Sequence, residues 1–100
     1  MNRIATLVGS LRKAYPEIES CKFELIFSFP TEEAAKEYFR KTYHWEHHDG
    51  MIKYQLNGEC FSGFKTEIEL NANYIKHLTG CYVDLASETQ GSLHRWKLWI

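Results

Sequence analysis

Ile4, Leu7, Val8, Leu11 and Tyr15 recur at helical spacing, and Pro16 closes the run by biasing its predecessor out of the α region. Residues 3–14 are therefore expected to form an amphipathic helix. From Cys21 the period changes to two: Cys21, Phe23, Leu25, Phe27 and Phe29 point one way, and Lys22, Glu24, Ile26 and Ser28 the other. That alternation predicts a strand with one face in the core. Pro30 and Thr31 then open a second helix, with Thr31 as N-cap, Glu32 and Glu33 at the positive end of the dipole, and Arg40 and Lys41 in the last turn. Ala35, Tyr38, Phe39 and Thr42 make its inner stripe, while Glu32 with Lys36 and Glu37 with Lys41 make outer i,i+4 pairs.

Asp49-Gly50 is the strongest local turn signal, because both types tolerate the positive φ that a two-residue hairpin loop needs. The register it implies puts Tyr43 opposite Leu56, Trp45 opposite Tyr54 and His47 opposite Ile52 on one side. Glu46 then faces Lys53, and His44 faces Gln55, on the other. A further turn is expected at Asn57-Gly58. Phe61 and Phe64 cannot share a face of an unbroken strand, so a bulge or longer loop is expected near Ser62-Gly63. Beyond it Phe64, Thr66, Ile68 and Leu70 alternate with Lys65, Glu67 and Glu69, a strand with one wet face.

Residues 72–79 read as a short helix ended by Gly80. Cys81, Val83 and Leu85 alternate, Thr89-Gln90-Gly91-Ser92 supplies turn chemistry, and Leu93 to Ile100 resumes the alternation. A closing hairpin follows, with a helix capped by Ser92 as the alternative for the last segment. The expected order is helix, strand, helix, three strands, a short helix and two strands. Strands with one apolar face need a cover, which predicts an α+β two-layer sandwich: one mainly antiparallel sheet of five to six strands under two main helices. Segment 21–42 has the look of ferredoxin-like and similar small sandwiches, a likeness of fold that carries no function with it.

One hundred residues suffice for one core but not two, so residues 1–100 are read as a single domain. With 44% hydrophobic and 15% aromatic residues the chain lies far from the composition of disordered segments. Twelve Lys and Arg against thirteen Asp and Glu leave a net charge of -1, so no global field draws it to polyanions or anionic lipid. Cys21, Cys60 and Cys81 are odd in number and widely spaced, as expected of buried thiols in a reducing, cytoplasmic setting. The opening residues lack a continuous apolar signal region and no apolar stretch is long enough to span a bilayer, so neither secretion nor membrane insertion is expected.

The densest set of ligand-type residues is His44, Glu46 and His48, which would share a strand face and offer two imidazoles and a carboxylate to a transition metal. A hairpin tip gives such a set little outer support, and Glu46 has Lys53 as a simpler partner. Nucleophile motifs are absent: there is no G-x-S-x-G, and Cys60 lacks the flanks of known thiol enzymes. The glycines stand singly rather than in phosphate-binding loops, and Glu67 and Glu69 belong to a wet strand face. The sequence thus assigns no catalytic residue and no cofactor.

What remains is a surplus of aromatics, three Trp, six Tyr and six Phe, of the kind that supplies binding hot spots. Alternation places Arg95, Lys97 and Trp99 on one face of the last strand, with Trp96 inward, and leaves Tyr82 outward. These four are the candidate contacts for a protein partner. Arg95, Lys97 and Trp99 would equally offer phosphate contacts and a stacking surface to single-stranded nucleic acid, although Glu24, Glu46, Glu67, Glu69 and Asp84 occupy the outer faces of other strands. The expectation is a small non-enzymatic module that occludes a partner protein's working surface. Stand-alone domains of this size include inhibitors and immunity-type proteins of phages and mobile elements, anti-CRISPR proteins among them, an analogy of size and style alone.

Overall fold

The computed structural model of the protein describes residues 2–43, 45 and 50–100. These form α1 (Asn2–Ala14), β1 (Ser20–Phe29), α2 (Glu32–Thr42), β2 (Met51–Leu56), β3 (Glu59–Glu69), α3 (Ala72–Glu88) and β4 (Ser92–Trp99). The strands build one antiparallel sheet in the order β2-β3-β1-β4. After α1 the chain therefore follows a split β-α-β-β-α-β path, in which α2 links β1 to β2 across β3, and α3 links β3 to β4 across β1. The α+β class and the antiparallel sheet are as expected; the described residues give four strands rather than five or six.

β1 is the centre of the sheet and keeps the alternation of its sequence. Cys21, Phe23, Leu25, Phe27 and Phe29 are buried in the core, together with Ile4 and Val8 of α1, Ala35 and Tyr38 of α2, and Ile75, Tyr82 and Ala86 of α3. The Tyr38 ring packs on Phe27 and Phe29, with centroids 5.5 and 5.1 Å away. At the start of α2 the Thr31 hydroxyl accepts from the Ala34 N–H at 3.1 Å. Lys36 pairs with Glu32 at 3.3 Å, whereas Glu37 pairs with Arg40 rather than Lys41. The Arg12 guanidinium donates to the Leu70 carbonyl and ties α1 to the end of β3. No helix among the described residues is long and apolar enough to cross a membrane.

Three expectations need correction. The turn expected at Asn57-Gly58 is present, with φ values of 53° and 84° that are those of a two-residue turn, and it is this turn that sets the register of β2 against β3. Tyr54 consequently faces Phe61 and Leu56 faces Glu59. Trp45, expected opposite Tyr54, instead has its ring edge-on to Tyr82 at 4.5 Å, and its backbone N–H donates to the Thr42 carbonyl at 2.9 Å. The Lys53 ammonium lies 4.8 Å from the Phe39 ring centroid. Pairing with β3 joins Met51–Leu56 to a sheet with a buried face. Tyr43, expected opposite Leu56, is the αR C-cap of α2 and not part of a strand. His44, Glu46, His47, His48 and Asp49 fall outside the described residues, and with them the pairings of Glu46 with Lys53, His44 with Gln55 and His47 with Ile52, the Asp49-Gly50 turn and the metal set of His44, Glu46 and His48.

β3 runs without a break at Ser62-Gly63, so Phe64 enters the core and Phe61 lies on the other face, and both are buried. The irregularity falls instead in β4, where Ile26 pairs with Arg95 but Phe27 with Leu93, leaving His94 as the extra residue of a bulge. Finally, residues 81–85 are not a strand. α3 continues through Gly80 for seventeen residues, because Ile75, Thr79, Tyr82 and Ala86 form one buried helical stripe. Residues 92–99 form the strand expected of the last segment, so its helical alternative falls away.

Candidate functional site

The core side chains of the three helices all meet one face of the sheet, the one bearing Phe23, Leu25 and Phe27. The register then assembles the opposite face row by row. Tyr54, Phe61 and Ser28 form one row, Ile52, Gly63, Ile26 and Arg95 the next, then Lys65, Glu24 and Lys97, then Glu67, Lys22 and Trp99. No described helix covers these positions.

Two groups of side chains stand out on this face. At the hairpin end the Phe61 ring is stacked on Tyr54, centroids 4.8 Å apart and 16° from parallel, and flanked on its other side by His94 at 4.6 Å. The bulge is what brings His94 here, since it turns one extra side chain toward Phe61. Phe61 and Ile26 are buried beneath their neighbours, while Tyr54 and Leu56 remain exposed, Leu56 at 59%. At the other end the Lys65 and Lys97 ammoniums lie 5.1 and 5.0 Å from the Trp99 ring centroid, within cation–π range. Between the two groups Arg95 approaches the Glu24 carboxylate at 3.7 Å. Glu24 is largely shielded, and a shielded carboxylate needs such a partner.

Comparison of the chain with protein-family models, with curated protein sequences and with solved structures gives no significant match.

Of the residues singled out in the sequence, Arg95, Lys97 and Trp99 share this face, with Arg95 and Lys97 exposed and Trp99 half-buried. Tyr82 does not join them. It is 2% exposed on the core side of α3, against Phe64 and Trp45, because helical rather than strand geometry governs its segment. Sequence reading missed Tyr54, Phe61, His94 and Lys65. The Asn57-Gly58 turn was the signal that could have found the first two, since a hairpin centred there sets them opposite each other.

A shallow groove of about 220 Å³ opens beside the hairpin end, between α2 and β2, and includes Ala35, Lys36, Lys53, Gln55 and Cys60 in its walls. There the Gln55 side-chain amide donates to the Cys60 sulfur at 3.3 Å. Among the described residues no three His, Cys, Asp or Glu side chains gather as a metal site. What this surface offers is contact: large rigid rings, aliphatic area and separated charges on a sheet stiffened from behind.

Proposed function

We propose that this chain is a protein-binding module that works by covering a partner's surface with the open face of its sheet. The observation that carries the reading is the ring group of the outer face, Tyr54 stacked on Phe61 with His94 tilted against it, bordered by the exposed Leu56. Stacked rings are already ordered before binding, so little side-chain entropy is lost when a partner packs on them. The charges around them are mixed: Lys22, Lys65, Arg95 and Lys97 share the face with Glu24, Glu59, Glu67 and Glu69. A mixed border suits a protein surface of matching pattern and penalises wrong partners. A module of this kind acts by occupancy, as an inhibitor does when it occludes a working surface.

Affinity capture from the native cell, or from its natural host if a phage carries the gene, tests the reading. One protein retained in stoichiometric amount is the expected result. Trp99→Ala should weaken that complex by more than about 1 kcal/mol while leaving thermal stability nearly unchanged, and Tyr54→Ala should weaken it as much while also costing the stack on Phe61. Retention of no protein overturns the reading.

A second reading, single-stranded nucleic acid, draws on the same rings together with Arg95, Lys97 and Trp99, since bases stack on aromatic side chains of open sheets. The acids of the face weigh against it, because a phosphate backbone crossing the sheet meets Glu67 and Glu69. It predicts binding to short single strands that falls steeply with salt.

A further inference from the structure

The cation end of the open face holds a feature beyond general stickiness, and its argument rests on the protein-binding reading above. Lys65 and Lys97 occupy the same row on either side of Glu24, so their Cα atoms are two strand spacings apart, roughly 10 Å. Both ammoniums nevertheless converge on one ring, that of Trp99, at 5.1 and 5.0 Å. Among the described residues neither has a carboxylate within salt-bridge distance, and the Glu24 carboxylate between them is engaged by Arg95 at 3.7 Å. Two like charges repel, and lysine side chains are costly to order, so ammoniums held near a common ring need a reason to stay there. The ring quadrupole supplies it. Trp99 is thus less a stacking platform than a post that gathers two positive charges.

We propose that Lys65 and Lys97, held on Trp99, form a two-ammonium pincer that receives carboxylates from an acidic segment of the partner protein. Charge complementarity identifies the occupant. Lys22 adds a third cation beside Trp99, yet Glu67 and Glu69 bound the patch on the β3 side. The cationic area is therefore compact. It accommodates a pair of carboxylates, whereas a phosphate backbone needs a positive track that continues over several nucleotides. Ring faces already occupied by ammoniums are also poorly disposed to accept a base.

The test uses the full chain and three fluorescent probes: a short peptide rich in Glu and Leu, its Gln counterpart, and an oligothymidylate of equal length. Anisotropy titrations should show the Glu peptide bound about tenfold more tightly than the Gln peptide, a difference that added salt erodes. The double variant Lys65→Gln with Lys97→Gln should lose that tenfold preference, and Trp99→Leu, which keeps both charges but removes their post, should lose part of it. Both lysines are exposed, so the circular dichroism and melting temperature of the double variant should match the parent. Equal binding of the Glu and Gln peptides, an unchanged preference in the double variant, or tighter binding of oligothymidylate would each overturn the pincer. Its failure is separable from that of the broader reading: a captured partner protein held equally by parent and double variant removes the pincer alone.

Discussion

The Trp96 indole N–H donates to the Thr79 hydroxyl at 3.2 Å, binding the middle of β4 to the middle of α3. The same indole meets the Phe23 ring edge-on at 5.9 Å. Since side chains alternate along a strand, anchoring Trp96 under the helices obliges Arg95 and Lys97 to project from the other face. That anchor, with the buried Leu98 two residues on, leaves the Arg95 and Lys97 side of the last strand free to meet a partner.

Trp96→Phe should therefore destabilise the fold while Trp99→Phe should not. The first change leaves the buried Thr79 hydroxyl without its donor and vacates the volume of half an indole; Thr79 is only 3% exposed. A loss of about 1–3 kcal/mol is expected for Trp96→Phe and less than about 0.5 kcal/mol for Trp99→Phe. Urea denaturation of the two variants checks this, and similar midpoints would show that the indole bond does not hold β4 in place.

How far the fold was legible depended on whether one periodicity or two fitted a segment. β1 and α2 were read correctly because period, caps and flanking charges agree, down to the Thr31 cap and the pairing of Glu32 with Lys36. α3 was not, since Cys81, Val83 and Leu85 alternate like a strand, and its true inner stripe passes through Thr79, a polar residue that hides the helical period. β3 misled for a different reason. Phe61 and Phe64 are both buried although they lie on opposite faces, because Tyr54 and His94 cover the outer one. A pattern rule that expects one wet face sees a break where there is none. Arg95, Lys97 and Trp99 were found from local alternation alone. Their companions Lys65, Tyr54 and Phe61 depend on strand order, which the competing Asp49-Gly50 and Asn57-Gly58 signals left open.

Gly63 and Gly80 should respond in opposite directions to alanine. A β-carbon at Gly63 would press into the backbone of β1, colliding with the Leu25 carbonyl and standing 2.6 Å from the Ile26 Cα. β1 and β3 would have to part at the centre of the sheet, so Gly63→Ala should cost about 3 kcal/mol, at the upper end of overpacking. Gly80 lies in α3 with nothing within 4 Å of its added β-carbon. Gly80→Ala should stabilise the protein by about 0.5–1 kcal/mol through helix propensity. Thermal melts of both variants decide the point; a stabilised Gly63→Ala would refute the close approach of the two strands.

The three thiols should separate cleanly by accessibility. Cys21 and Cys60 are buried, whereas Cys81 is half-exposed on α3, its sulfur 3.7 Å from the His77 imidazole. Burial, and secondarily the Glu67 carboxylate, push the Cys21 thiol further above its usual range. Since the thiolate is the reactive form, an aromatic disulfide reagent at neutral pH should label one cysteine per folded chain quickly and the other two only on unfolding. Cys81→Ser should abolish the fast phase. Fast labelling of two sites would mean that the sheet opens locally around Cys21 or Cys60.

Alkaline pH should expose the cost of burying Tyr38. Its hydroxyl is buried without a hydrogen-bond partner among the described residues, and burial, with a smaller contribution from Tyr82, raises its pKa well above the ordinary tyrosine value. The unfolded chain releases this proton first, near pH 10, so above that point the unfolded state binds fewer protons than the folded one. Stability must then fall as pH rises, by up to about 1.4 kcal/mol per pH unit for this group, with the Cys21 thiol adding a loss of the same sign that begins lower. Tyr38→Phe keeps the ring contacts with Phe27 and Phe29 and removes only the unpartnered oxygen. It should leave stability at pH 7 unchanged or raise it by up to about 1 kcal/mol, and should flatten the decline between pH 10 and pH 11, measured by denaturant titration at each pH. A variant less stable than the parent at pH 7, with an alkaline decline as steep, would show that the hydroxyl is bonded in the core after all.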